Sequence, residues 1–107
     1  MLEVKEQNGH LIASLADTDR LNAAVASEIK SELTDQLSGN ANLVVNLSNI
    51  KFIDSTGIGV LISALKTARQ HNGSFKLCAI QKDVMSLLSL MKLDKVFDIY
   101  DNESEIK

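Results

Sequence analysis

The spacing of apolar residues predicts an alternation of strands and helices along the chain. Residues 2–6 alternate weakly, and after an Asn-Gly turn signal residues 10–16 (HLIASLA) predict a second strand, so these two strands should form a hairpin. Residues 21–37 change to helical spacing. The apolar positions of this helix are Val25, Ile29, Leu33 and Leu37. We expect Gly39 to end the helix in a left-handed cap.

The rest of the sequence repeats a strand–helix pattern. Residues 43–47 (LVVNL) are almost continuously apolar, which predicts an interior strand covered on both faces. Residues 55–70 have the spacing of a helix, and apolar residues between 84 and 93 indicate a further one. Strands are predicted on either side of this last helix, at residues 74–80 and 96–100.

The resulting order, ββαβαβαβ, predicts an α/β fold with a small mixed β-sheet flanked by helices. Strands joined through helices lie parallel, with right-handed crossovers. Residues 1–107 contain no proline and no linker-like stretch, so we expect one domain. Open sheets of this kind place their sites at the carboxyl ends of the strands. The segment FIDSTG, residues 52–57, lies at such an end and is the main candidate for a functional site.

Composition and charge narrow the classes of function. The net charge is −3, the basic residues form no stripe and the one cysteine is Cys78, so we expect neither a nucleic-acid interface nor a disulfide framework. No cluster of histidine and cysteine indicates a metal site. The longest nearly apolar run, residues 58–65, is far shorter than the roughly 20 residues of a membrane span. We therefore expect a cytoplasmic protein that inserts into no membrane.

Four kinds of chemistry fit the DSTG stretch at first sight, and two of them are disfavoured. The plainest is a helix cap, in which Asp54 or Ser55 accepts hydrogen bonds from backbone N–H groups. A hydrolase nucleophile at Ser55 needs a base, but His71 lies at the far end of the same predicted helix and His10 lies in the N-terminal hairpin. A phosphate-binding P-loop is disfavoured because GIGVLIS has no lysine at the required position.

The fourth is a phosphorylation switch at Ser55. A phosphoryl group adds about −1.5 to −2 charges and three acceptor oxygens. The free N–H groups of a helix N-terminus tolerate this charge, so the fold should persist. The outer surface beside Asp54 would become strongly anionic. A partner docked there would be repelled or blocked.

These residues resemble a known family. Residues 42–73 (NLVVNLSNIKFIDSTGIGVLISALKTARQHNG) are similar to the core signature of STAS domains, specifically of the bacterial anti-sigma-factor antagonists. Residues 19–30 (DRLNAAVASEIK) resemble the first-helix segment of that family. Residues 76–102 resemble its later strand, helix and strand. The likeness covers about residues 9–102, which is nearly the whole chain.

The resemblance implies a bacterial partner switch that regulates transcription, not an enzyme. In this family an anti-sigma factor with serine kinase activity phosphorylates the first hydroxyl after the acid, which is Ser55 here, with Thr56 as the alternative acceptor. The unphosphorylated antagonist binds the anti-sigma factor and frees a sigma factor, and a phosphatase resets it. The kinase contributes ATP and Mg²⁺, so the chain itself should need no cofactor. We expect a monomer or a weak homodimer. The implied partner-binding residues are Asp54, Ser55, Thr56, Gly57, Ile58, Gly59 and Asn22.

Two positions depart from the family pattern. The acid of the family's first helix aligns with Asn22, and the strand position often occupied by aspartate is Asn46. Asparagine still forms hydrogen bonds but lacks the charge, so a contact with the kinase should be weakened or retuned. One alternative function is a STAS adaptor that is never phosphorylated, serving as a subunit of a larger complex such as a lipid-transport assembly. A third hypothesis is a nucleotide-binding or hydrolytic enzyme.

Residues 84–93 (VMSLLSLMKL) are more apolar than one buried stripe requires. One interpretation is a helix set into a corner of the core. The other is a partly exposed patch that a partner or a second copy covers.

Overall fold

The computed structural model describes residues 1–40 and 42–106; Ala41 and Lys107, the last residue of the predicted domain, lie outside the described residues. The strands are β1 (Leu2–Gln7), β2 (His10–Leu15), β3 (Arg20–Leu21), β4 (Asn42–Asn46), β5 (Phe52–Ile53), β6 (Ser74–Cys78) and β7 (Asp98–Tyr100). The helices are α1 (Ala23–Gly39), α2 (Ser55–Gln70) and α3 (Lys82–Leu90), with short 3-10 turns at Leu93–Lys95 and Glu103–Glu105.

Five of the strands form one mixed sheet in the order β1-β2-β4-β6-β7. β1 and β2 are the predicted antiparallel hairpin, and the other neighbours are parallel. The predicted α/β fold with a small mixed sheet is therefore confirmed, and α2 has the predicted bounds.

The two faces of the sheet are covered differently. The main core joins the buried sides of the three helices to alternate residues of the strands, such as Leu43 and Val45 of β4. The intervening residues point to the other face because successive side chains of a strand alternate. There, a smaller cluster of Ile12, Val44 and Cys78 is covered by Ile106.

Several of the predicted helix and strand ends are wrong, and each difference has a local conformational cause. Gly39 is the last helical residue of α1 and is followed by Asn40 in an extended conformation, φ −150°, so no left-handed glycine cap forms. β6 stops at Cys78 because Ala79 takes a left-handed conformation, φ 57°, which no strand continues through. The last strand starts at Asp98, not at residue 96, because the preceding 3-10 turn still holds the backbone.

A second, two-stranded sheet was not predicted from the sequence. β3 and β5 pair in parallel, with Arg20 opposite Phe52 and Leu21 opposite Ile53. Asp19 extends this pairing, since its carbonyl oxygen accepts a hydrogen bond from the Lys51 N–H at 2.7 Å. Because α1 and α2 follow directly after these two strands, the pairing sets the two helix N-termini side by side.

Gly57 allows α2 to lie against this ribbon. A Cβ atom at Gly57 would be 2.0 Å from the carbonyl oxygen of Leu21 and 2.9 Å from Cγ1 of Ile53. Such contacts are far inside van der Waals distance, and the first is with backbone that cannot rotate away. Gly59, two residues further along the same turn, would meet nothing within 4 Å.

The two glycines should therefore respond oppositely to alanine. We expect Gly57→Ala to lower the free energy of unfolding by about 1–3 kcal/mol or more, as overpacking does. Gly59→Ala should leave it unchanged or raise it by up to about 1 kcal/mol, because alanine favours the helix. Urea unfolding of both variants measures this difference. Equal stabilities would contradict the close approach of α2 to the ribbon.

Candidate functional site

The start of α2 is capped by Asp54, and the hydroxyls of Ser55 and Thr56 remain exposed at the surface. Asp54 Oδ1 accepts a hydrogen bond from the Gly57 N–H at 3.0 Å, and Asp54 has an extended backbone. Of the two capping residues that the sequence allowed, the structure therefore uses Asp54. Ser55 is the first residue of the helix, and both Ser55 and Thr56 are exposed. A hydroxyl at this position is held by the helical backbone and is accessible to another protein.

Asn22 occupies the equivalent position at the start of the neighbouring helix α1. Its Oδ1 accepts a hydrogen bond from the Ala24 N–H at 3.1 Å, which makes it the N-cap of α1. Asn22 and Asp54 each directly follow a residue of the paired strands β3 and β5, so the structure brings the two helix starts together. Two helix N-termini, each with partial positive charge, thus share one edge of the molecule.

The remaining predicted partner-binding residues fall into two groups. Gly57 and Ile58 are buried, Ile58 with 4% exposure, so they support the helix start from beneath and offer little surface to a partner. Gly59 is exposed and lines a shallow groove between α1 and α2 together with Thr56. The other residues of this groove are Ala26, Ser27, Lys30 and Val60.

An exposed aromatic residue beside the motif was missed by the sequence reasoning. Phe52 is 56% exposed, and the guanidinium carbon of Arg20 lies 4.9 Å from the centroid of its ring. Arg20 also has its Nε 3.6 Å from Asp19 Oδ1. The one available signal was an aromatic residue directly before the motif, whereas nothing in the sequence relates Arg20 to it, because strands of two residues have no periodicity.

Phe52 continues the candidate surface away from α1, toward α3. It lines a second groove, which runs between β5 and α3 and includes both charged and apolar side chains. The other residues of this groove are Lys51, Ile53, Asp83, Val84 and Leu87. Thr56 thus lines the groove beside α1, and the residues directly before the Asp54 cap line the groove beside α3.

The apolar segment 84–93 is partly core and partly surface. Val84 and Leu88 are buried in the main core, whereas Leu90 is 81% exposed and Met91 47%. One side of this segment thus belongs to the core, as the first interpretation has it, and Leu90 and Met91 form an exposed patch, whose cover by a partner or a second copy stays a prediction.

The topology separates both histidines from Ser55. His10 begins β2, which runs parallel to β4, so it lies at the amino edge of the sheet. His71 caps the far end of α2, sixteen helical residues from the site. In residues 1–40 and 42–106 no three histidine, cysteine or acidic side chains come together as a metal site would require. No described helix is both long and apolar enough to cross a membrane. The site thus consists of a capped, exposed hydroxyl without a neighbouring imidazole.

Comparison with known proteins agrees with this geometry. The chain is 28% identical over 104 residues to the anti-sigma F factor antagonist of Paenibacillus polymyxa, and the aligned region covers 95% of this chain and 87% of that protein. It is 27% identical over 99 residues to the anti-sigma-B factor antagonist of Bacillus subtilis, covering 92% and 88%. The crystal structure of a Thermotoga maritima protein superposes with a TM-score of 0.85 at 29% identity, covering 97% of this chain and 89% of that one.

The family model named STAS domain matches residues 1–106. This match spans the sheet, the three helices and the capped start of α2 in one stretch, and it confirms the resemblance carried by the DSTG motif. The chain therefore belongs to the STAS domain family.

Proposed function

We propose that this chain is an anti-sigma factor antagonist that is switched off by phosphorylation of Ser55. The observation that carries the proposal is the exposed hydroxyl of Ser55 at the capped start of α2. The names of the relatives from Paenibacillus polymyxa and Bacillus subtilis support the same class of function.

The chain's part in the reaction is to present an acceptor. The Ser55 oxygen attacks the γ-phosphorus of ATP held by the partner kinase, the bond from that phosphorus to the ADP oxygen breaks, and the hydroxyl proton passes to a base of the kinase. Asp54 is engaged with the Gly57 N–H, so its role on this chain is to fix the helix start and hence the position of the hydroxyl. The products are phosphoserine and ADP.

Electrostatics explain why the modification ends binding. The N-termini of α1 and α2 tolerate the new charge, so the fold remains intact. The docking face, however, gains about two negative charges and three oxygens where a partner was in contact. A partner matched to the uncharged hydroxyl loses shape complementarity and meets an unpaired anion. A phosphatase that removes the phosphoryl group restores docking.

The docking face centres on the α2 N-terminus. Asn22, Thr56 and Gly59 flank the hydroxyl, and the stacked pair of Arg20 and Phe52 adds an exposed aromatic and a cation, which are enriched in protein interfaces. The anti-sigma factor that the chain binds in this function meets its sigma factor in the cytoplasm, so the chain works there as well. In this function the chain is a regulatory binding protein without a cofactor, and catalysis belongs to the kinase and the phosphatase.

The acceptor is tested with the purified chain, ATP, Mg²⁺ and the serine kinase anti-sigma factor from the same organism. We expect mass spectrometry to find the phosphate on Ser55, Ser55→Ala to remove it, and the matched variant Thr56→Ala to keep it. Ser55→Asp should weaken kinase binding by about tenfold or more, which corresponds to roughly 1.4 kcal/mol. Calorimetry measures that affinity.

Two outcomes of this experiment would overturn the proposal. One is a chain that stays unmodified at Ser55 under conditions in which the kinase phosphorylates a known antagonist. The other is equal affinity of the wild type and Ser55→Asp. A chain that stays unmodified and binds a transporter subunit would instead support the adaptor function.

The extent of the docking face is tested by truncating exposed apolar side chains. Phe52→Ala should weaken binding of the same kinase by about tenfold or more, because aromatic residues at the centre of an interface are frequent hot spots. The matched control is Leu90→Ala, since Leu90 is exposed but lies outside both grooves. Loss of binding in Leu90→Ala alone would place the interface on the outer side of α3.

A further inference from the structure

The last described residues form a strap across the face of the sheet that the helices leave uncovered. We call residues 101–106 the C-terminal strap. Gln7 Nε2 donates to the Glu103 carbonyl oxygen at 2.8 Å, and Asn8 Nδ2 donates to the Ile106 carbonyl oxygen at 3.2 Å. Lys5 Nζ lies 2.6 Å from Glu103 Oε1. The strap is thus attached to the N-terminal hairpin along its length.

The strap buries the only cysteine of the sequence. Ile106 is 1% exposed and packs on Ile12, Val44 and Cys78, which would face solvent if the strap moved away. Burial raises the pKa of the Cys78 thiol to about 11, with a further contribution from the negative charge of Glu103. A buried thiol with so high a pKa reacts slowly, so Cys78 reports whether the strap is closed.

Asn46 joins the strap to the segment that leads to Ser55. Its Nδ2 donates to Glu103 Oε2 at 2.5 Å, and its Oδ1 accepts from the Ser48 N–H at 2.8 Å. The backbone N–H can only donate, so this amide has one possible orientation, with the nitrogen toward the carboxylate. Ser48 in turn offers its carbonyl oxygen to Gln81 Nε2 at 2.6 Å. Residues 48–51 then connect directly to β5 and the Asp54 cap.

We infer that Asn46 is a positioning residue that couples closure of the C-terminal strap to the conformation of the loop at residues 48–51, which leads through β5 to Ser55. With the strap closed, Glu103 holds the Asn46 amide, and the amide oxygen holds the start of the loop at residue 48. When the strap opens, Asn46 loses its charged acceptor and the loop loses a fixed anchor. The link between strap and loop stands by itself, whereas its effect on partner docking rests on the proposed function.

An amide at position 46 is the side chain that this junction requires. It must donate to a carboxylate and accept from a backbone N–H at the same time, and a carboxylate can only accept when ionised. Glu103 is ionised at neutral pH, because its hydrogen bonds with Lys5 and Asn46 lower the pKa of its carboxyl group. Asn46→Asp would therefore set two carboxylates against each other and release the strap, while keeping the acceptor for Ser48.

A double-mutant cycle tests the coupling without any partner protein. We measure the rate at which a thiol reagent, 5,5′-dithiobis(2-nitrobenzoate), labels Cys78 in the native chain at neutral pH. Asn46→Asp should accelerate labelling by about tenfold or more, as local opening exposes the thiol. Adding Glu103→Gln should bring the rate back to within about threefold of the wild type, because the new amide donates to the new carboxylate. Glu103→Gln alone should have a smaller effect than Asn46→Asp.

Nuclear magnetic resonance supplies the readout that a purely stabilising role would not move. In Asn46→Asp the amide resonances of Ser48 and of Ser55 to Gly57 should shift, and in the double variant they should return. Ile106→Ala loosens the strap from its other end and leaves both Asn46 hydrogen-bonding groups unchanged. It should accelerate labelling and shift the Ser48 resonance as well, and it keeps the test decisive if Asn46→Asp fails to fold.

Four results would overturn the inference. The first is labelling of Asn46→Asp at the wild-type rate. The second is a double variant labelled as fast as the single one. The third is strap opening in Ile106→Ala with the resonances of Ser48 and Ser55 unmoved. The fourth is a labelling rate that depends on urea concentration as strongly as global unfolding does, since local opening depends on urea only weakly.

A kinase assay then connects the coupling to the switch. With the serine kinase anti-sigma factor and ATP, Asn46→Asp should raise the KM for the chain by about threefold or more and change kcat little, because docking and not chemistry is altered. An unchanged KM would mean that the strap is coupled to the loop but that this coupling does not affect docking of the kinase. If the kinase modifies no form of the chain, the proposed function fails, while the thiol and resonance measurements still decide the coupling.

Discussion

The parallel pairing of β3 with β5 is the constraint on which the functional face depends. Each strand has only two residues, yet their register places the N-terminus of α1 next to that of α2. Gly57 completes the arrangement, because only a residue without Cβ lets α2 approach the Leu21 carbonyl oxygen so closely. Without this approach the capped hydroxyl would still exist, but Asn22 and Arg20, which come from the other strand of the ribbon, would not lie beside it.

In the proposed function the site is simple because its task is to be recognised, not to react by itself. A nucleophile of its own would need a base and an oxyanion hole held within hydrogen-bonding distance. Here the histidines lie toward the opposite edge of the sheet, and the acid next to the serine is used for capping. Chemical specificity can then reside in the enzyme that docks, and the scaffold needs only a stable surface that a single charged group alters.

The sequence allowed much of the fold to be predicted, where the residues acted through periodicity or local chemistry. The helix at residues 55–70 was predicted with its observed bounds because its apolar stripe and its start signal coincide. Helix α1 was misjudged at its end, where Asn40 turns extended although a glycine precedes it. Such an end depends on the chain that follows, not on the local composition.

The candidate site was predictable in kind and less so in extent. The motif identified Asp54 and Ser55, but the choice between them as the cap required the backbone conformation. Arg20 meets Phe52 only through the ribbon, which leaves no trace in either segment alone. Asn46, which departed from the family pattern, has a local reason: its amide has a carboxylate on one side and a backbone N–H on the other.

The course of the strap also decides where an attached group would emerge. The strap passes Asn46 at the carboxyl edge of the sheet and reaches Asn8 at the amino edge, so the described chain ends on the side opposite Ser55. The Met1 carbonyl oxygen instead accepts a hydrogen bond from the Ala16 N–H just beyond β2, on the same edge as Ser55. A fluorophore or an immobilisation tether placed at the C-terminal end would leave the proposed docking face clear, whereas one placed before Met1 would crowd it.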